Sequence, residues 1–373
     1  MMTLTAVLAA VAAFIINITL TPFIIRLAHR YKWYDLPDRR KIHTGLIPRL
    51  GGPGIFVSLL IACLAAPALS FIVSGRSSGV NLPLSLLAPF IGILIIHLVG
   101  LIDDFKNLRA LLKFALQLAA AAVVTSGGYL IRSLTIPYLG STSLGFLAYP
   151  VTILWIVSIS NAVNLIDGMD GLAGGIAAFA ALAMGVIALI QGQAVPALFA
   201  LSLFGATAGF LCFNLPPAKI FMGDSGSYLL GFCLAVLPLM GISKVAAFGT
   251  LILPITLLTV PIVDTASAIF RRLRQGRSIA SPDKEHIHHK LLQLGLNEKQ
   301  ILAVIYGFSV YLSVVAITSV ILPKETNVYL ILVVWVGSLL AYGVVTSVGS
   351  KQKQSTASRE LPADEREKRR KRS

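Results

Sequence analysis

The chain has 373 residues, of which 56% are hydrophobic and 13% charged, with a formal net charge of +15. An ordinary soluble domain is roughly 45–50% apolar and about 25% charged, so this composition excludes a water-soluble globular protein. The excess positive charge is gathered in a few loops and a tail, which suits an anionic membrane leaflet and gives no reason to expect nucleic acid as a partner.

Crossing a hydrocarbon layer of roughly 30 Å takes about 20 apolar residues per helix. Blocks that meet this length predict spans at 4–25, 50–73, 84–102, 110–127, 146–162, 171–190, 195–213, 226–241, 246–268, 299–321 and 327–347. The expected fold class is an all-α polytopic membrane protein with about eleven transmembrane helices, the N-terminus outside and the C-terminus cytoplasmic. The first block has no basic residue before its apolar run and carries Arg26, Arg30 and Lys32 after it, which fits an uncleaved first helix better than a secretory leader. Cytoplasmic loops collect Lys and Arg. Of 31 such residues, 27 fall in 26–49, 103–113, 214–223, 271–299 and 351–373, leaving Arg76, Arg132, Lys244 and Lys324 for the opposite side. One membrane domain, 1–350, is followed by a basic cytoplasmic tail, 351–373, whose charge and low apolar content predict disorder. Cys63, Cys212 and Cys233 have no metal or redox spacing and are expected to be packing residues.

Carboxylates at membrane depth are costly and by default mark function. Of 16 acidic residues, all but Glu325 fall at the cytoplasmic ends of the predicted helices or in the loops and tail on that side. The first cluster, in DDFKNLRALLK, places Asp103 and Asp104 at a helix end. Adjacent carboxylates repel, so a cation or a proton must relieve them, and Lys113 is a plausible neighbour; a charged interfacial turn is the plain alternative. In NAVNLIDGMDGLAGG, spacings of three put Asn161, Asn164, Asp167 and Asp170 near one face if the backbone is helical throughout. Such oxygen ligands suit a hard cation. In FNLPPAKIFMGDSGS, Asp224 and Ser225 open a helix, either as an N-cap or as a holder of phosphate at a positive helix end. The loop RRLRQGRSIASPDKEHIHHKLLQLG offers four arginines and His286, His288 and His289, donors better suited to phosphate than to structural zinc. Asp264, just ahead of it, is expected to pair at a helix end. Acidic groups for a metal beside basic groups for phosphates are the ingredients of phosphoryl transfer, and a membrane location implies a lipid substrate.

The strings DDFKNLRALLK, NAVNLIDGMDGLAGG, FNLPPAKIFMGDSGS and EHIHH, in that order, resemble the polyprenyl-phosphate N-acetylhexosamine-1-phosphate transferases over nearly the whole chain before the tail. Within that family the first loop, DRRKIHTGLIPRLGG, and EHIHHKLLQLG look like the WecA and TagO type. The peptidoglycan-precursor branch usually carries three consecutive histidines, whereas here Ile287 interrupts the run. The resemblance implies transfer of N-acetylglucosamine 1-phosphate from UDP-N-acetylglucosamine to undecaprenyl phosphate, on the cytoplasmic face of a bacterial plasma membrane, as the first lipid-linked step of an envelope polysaccharide. It implies Mg²⁺, or Mn²⁺ in its place, as cofactor, and leaves a homodimer open. By the same resemblance, Asp224 with Asn164 or Asp167 would hold the metal. Asp103, Asp104, Lys113 and Asp167 would form the catalytic set. Asp170, Asn214 and Phe221 would form a uridine pocket, and His286, His288, His289, Arg277 and His43 would bind phosphate or sugar. The alternatives are the peptidoglycan-precursor transferase and, from a different class, an ion-coupled transporter. The latter is disfavoured because the carboxylates sit at helix ends and no repeat is visible.

Overall fold

The computed structural model describes residues 2–34, 47–74, 84–136, 140–241, 251–278, 286–323, 326–327 and 329–344. His43 and the tail 351–373 lie outside the described residues. Among the described residues, eight helices are long and apolar enough to cross a membrane. They comprise α1 (Met2–Tyr31), α2 (Gly51–Ser74), α3 (Leu87–Lys106), α5 (Ala148–Ile166), α6 (Leu172–Ile190), α7 (Ala194–Asn214), α8 (Gly223–Gly241) and α12 (Glu298–Ile321). Two shorter apolar helices, α4 (Ala110–Ser126) and α13 (Tyr329–Val344), fall where spans were expected.

The expected span at 246–268 is not a single helix. Its described part is two helices, α9 (Ile252–Leu257) and α10 (Thr259–Arg274), which meet at Leu258. Pro254 and Pro261 flank this break, and proline removes a backbone donor and crowds the preceding turn. α10 runs past the expected end at 268 and carries Arg271, Arg272 and Arg274 in its last turn, where a basic cytoplasmic loop was expected to begin. A second departure from the all-α expectation is an antiparallel hairpin of β1 (Ser133–Ile136) and β2 (Gly140–Ser143), with Ser133 opposite Ser143. A short helix, α11 (Ile287–Gln293), precedes α12.

The bundle is organised around α8, which is buried along nearly its whole length and packs on α3, α5, α2 and α6. Small residues permit this, because TM helices without a hydrophobic drive between them gain from close backbone packing. A Cβ on Gly100 of α3 would lie 2.5 Å from the Asp224 carbonyl oxygen, so only glycine lets α3 cross the start of α8 here. Gly223, the first residue of α8, has φ 73°, a conformation that favours glycine. α6 brings a Gly/Ala-rich surface to α7, and α1 lies against α7 and α2. Cys63 and Cys233 are buried as expected, whereas Cys212 is exposed.

Candidate active site

The ends of α3, α4, α5 and α8 converge at the motifs read from sequence. Asp103, near the end of α3, is buried and accepts a hydrogen bond from Leu108 N at 2.6 Å. Its other oxygen lies 2.7 Å from Nζ of Lys113 on α4. The same ammonium lies 3.6 Å from Oδ2 of Asp224, and the Asp103 and Asp224 carboxylates are themselves within hydrogen-bonding reach. One cation thus bridges two acids, the relief expected for Asp103. Asn164, at the end of α5, donates to Asp224 Oδ1 at 3.1 Å and to Ser227 Oγ at 2.8 Å, fixing the Asp224 side chain from the opposite side.

Asp104 has a different task from Asp103. Its two oxygens accept from the backbone N–H groups of Asp224, at 2.7 Å, and Ser225, at 3.0 Å. It therefore caps α8 from another helix, supplying the acceptors that a helix start lacks. The expected N-cap at Asp224 or Ser225 is replaced by this distant one, and Asp224 keeps its own carboxylate for the site.

The single helical register expected for Asn161, Asn164, Asp167 and Asp170 does not form. α5 ends at Ile166, Asp167 sits beyond it with φ −75° and ψ 53°, and the chain turns before α6. Asn161 faces Gln117 of α4, donating to its Oε1 at 2.6 Å. Gln117 also bonds the Tyr228 hydroxyl. These three polar groups lie one helical turn below Asn164, Lys113 and Asp224 respectively. Asp167 is half-buried, and burial, reinforced by the Asp224 charge and opposed by Arg49, pushes its carboxyl up to about 7.

Of the three residues expected to form a uridine pocket, Asp170 lies in the turn between α5 and α6, Asn214 ends α7 and Phe221 lies in the segment before α8, and the first two hold backbone. Asp170 accepts from Ala218 N at 2.9 Å. Asn214 accepts from Gly171 N at 3.0 Å and donates to the Ile220 carbonyl at 2.9 Å, so its amide is engaged at both ends. Tyr306 of α12 donates to the Gly171 carbonyl at 2.6 Å and closes the turn. Phe221 is half-buried and pairs through its backbone with Pro48 and Gly51, which carries the loop alongside the start of α2.

His288 is buried with both ring nitrogens lacking a hydrogen-bond partner among the described residues, and its ring covers Gly168, next to Asp167. Burial, with His289 adding to it, pushes the imidazole down to about 4, so it is neutral near pH 7. The His289 ring centroid is 4.2 Å away, and the His286 ring lies parallel to His288 at 6.0 Å. Arg277 is exposed past the end of α10, and no described contact joins it to the carboxylates. Arg49 was not assigned from sequence, yet it opposes negative charge at both Asp104 and Asp167. Its only signal is that it lies two residues before the Gly51–Gly52 pair that packs on residues 221–226.

Among the described residues no three His, Cys, Asp or Glu side chains form a ready ligand group. That still fits Mg²⁺, which takes one or two carboxylates and leaves its remaining positions to phosphate and water. The raised Asp167 carboxyl beside Asp224 marks the uncompensated negative charge that such a cation relieves.

The pattern of glycosyl transferase family 4 matches residues 86–242, the stretch that carries the first three acidic motifs. A probable undecaprenyl-phosphate N-acetylglucosaminyl 1-phosphate transferase of Bacillus subtilis is 37% identical over 332 residues, covering 87% of this chain and 89% of the relative. The chain belongs to this transferase family. A decaprenyl-phosphate N-acetylglucosaminephosphotransferase of Mycobacterium tuberculosis is 34% identical over 91% of this chain and 88% of its own. An undecaprenyl-phosphate alpha-N-acetylglucosaminyl 1-phosphate transferase of Escherichia coli is 28% identical over 74% of each chain. Membership sets aside the transporter alternative and gives the clustered carboxylates an enzymatic context.

Proposed function

We propose that this protein transfers N-acetylglucosamine 1-phosphate from UDP-N-acetylglucosamine to undecaprenyl phosphate, releasing UMP, as the first lipid-linked step of a cell-envelope polysaccharide. The observation that carries the reaction type is the convergence of Asp103, Lys113, Asn164 and Asp224 at one end of four helices. The donor sugar and lipid follow the names of the relatives. An oxygen of the lipid phosphate attacks the phosphorus that bears the sugar, a new P–O bond forms, and the anhydride bond to UMP breaks. No proton has to move, because a phosphate monoester with a second pKa near about 6 is already largely dianionic at neutral pH.

Asp224, with Asp167 and Asn164, would hold Mg²⁺ on the diphosphate. Bound there, the cation would counter charge on the diphosphate and the leaving group. Lys113 neutralises charge between Asp103 and the incoming phosphates, and Asp103 orients the lipid phosphate. Asp104 supports the site by fixing the start of α8. Phe221 stacks on uracil, while Asp170 and Asn214 shape the loop that presents it. His286, His288 and His289 bind phosphate or sugar from the far side of Gly168, and Arg277 and His43 are assigned to the same anionic ligands. The site faces the cytoplasm of a bacterial cell, with the N-terminus outside, because nearly all loop Lys and Arg fall on its side.

The test is UMP release by purified protein in detergent with Mg²⁺ and undecaprenyl phosphate, comparing UDP-N-acetylglucosamine with UDP-N-acetylmuramoyl-pentapeptide. Release with the first donor alone is expected. Release only with the second would transfer the protein to the peptidoglycan branch, and release with neither by folded protein would overturn the proposed donors.

A further inference from the structure

Asp264 is a buried carboxylate that the proposed reaction does not use, 1% exposed within α10. An ionised carboxylate there must be fully hydrogen-bonded to persist. Its partners come from two elements, the histidine segment at the start of α11 and α13. Oδ2 lies 2.7 Å from Nδ1 of His286, Oδ1 accepts from the Ile287 backbone N–H at 2.9 Å, and the Tyr342 hydroxyl of α13 donates to Oδ1 at 3.3 Å. The carboxylate therefore grips the histidine segment by one side chain and one backbone amide, while α13 anchors it from behind. Both carboxylate oxygens act as acceptors, so the proton of the short His286 contact belongs on Nδ1. That choice settles which ring nitrogen is left for other work. His286 is itself buried and lies parallel to His288, whose ring covers Gly168 beside Asp167. The line from Asp264 to the catalytic turn thus runs through two imidazoles.

We propose that Asp264 is a positioning residue for the transfer reaction, holding His286 with its proton on Nδ1 and Nε2 directed away from the carboxylate, and thereby setting the histidine segment against the 167–171 turn. The proposal rests on the reading that this segment serves the substrate. A charged side chain that orients an imidazole through Nδ1 is a recurrent device, and loss of such an outer partner costs roughly 10–100-fold at metal-bound histidines. A similar loss is expected here.

The experiment uses full-length protein in detergent with ¹⁵N-labelled histidine, the His286 signals being assigned by their absence in His286→Gln. The wild type should show a protonated Nδ1 on His286. In Asp264→Asn the amide NH₂ replaces an acceptor with a donor, so the proton should move to Nε2, and kcat/KM should fall about 10–100-fold while the thermal transition stays near that of wild type. A wild-type His286 protonated at Nε2 alone would overturn the proposal without any variant, so failure of Asp264→Asn to fold would not shield it. Full activity of folded Asp264→Asn would overturn it as well. Full activity of His286→Gln would instead defeat the underlying reading of the histidine segment, and is distinguishable because the tautomer in the wild type is read independently.

Discussion

Lys113 touches both Asp103 and Asp224, so the three side chains work as one unit in which a single cation serves two acids. Asp224→Asn removes the carboxylate assigned to the metal and the anchor for Asn164, and kcat should drop by at least about 10²–10³-fold, the scale seen when one preorganised electrostatic group is lost. Steady-state UMP release checks this, and unchanged turnover would remove Asp224 from the site. Phe221→Ala should raise KM for the UDP-sugar with a smaller change in kcat, since base–aromatic stacking contributes about 1–3 kcal/mol per base. Asp167 gives a pH signature. Its carboxyl lies above the 3.8 of a free aspartate, at about 7. The fold therefore binds that proton more tightly than the unfolded chain does. The stabilisation is present at acid pH and is lost as pH rises from about 4 to about 7 in metal-free protein. A cation at this site must displace the proton, so Mg²⁺ should raise the thermal transition more at pH 8 than at pH 6. Equal shifts at the two pH values would argue against Asp167 as a ligand.

At the scale of elements, sequence reading fared best where hydropathy alone decides. The long apolar helices match their expected blocks within a few residues, because twenty or so consecutive apolar residues leave the backbone little choice in lipid. It fared worse where backbone hydrogen bonds decide. The break between α9 and α10 was hidden inside an apolar run containing Pro254 and Pro261, and the hairpin at 133–143 has too few residues to show a period. The cap of α8 was not legible at all, since Asp104 precedes it by 120 positions. Asp104→Ala removes the side-chain acceptors of two backbone N–H groups and should cost about 1–2 kcal/mol of stability, with activity falling because Asp224 sits at the freed end. Thermal unfolding in detergent would show this, and a variant as stable as wild type would make Asp104 dispensable for the cap. Asp170 and Asn214 show a related limit, because the family resemblance implied contact with a base and only the folded chain shows their bonds to Ala218, Gly171 and Ile220.

For the whole molecule, the ordering of four motifs along one chain was enough to identify the family, because their combination is far more specific than any member. The predicted orientation places Lys106 and the hairpin around Ser141 on opposite sides. Single cysteines at these positions, introduced into protein whose native cysteines are replaced, should react with a membrane-impermeant maleimide from opposite faces of oriented vesicles. Labelling from the same face would overturn the topology. Removal of 351–373 should leave turnover intact, and a dead truncated enzyme would make the basic segment part of the catalytic apparatus.

The Gln117, Asn161 and Tyr228 layer hydrogen-bonds to itself one helical turn, about 5.4 Å, from the acidic cluster, and Gln117 and Tyr228 are buried. The cluster is therefore seated on a second polar tier before the apolar core begins, and this tier ties together the three helices that carry Lys113, Asn164 and Asp224.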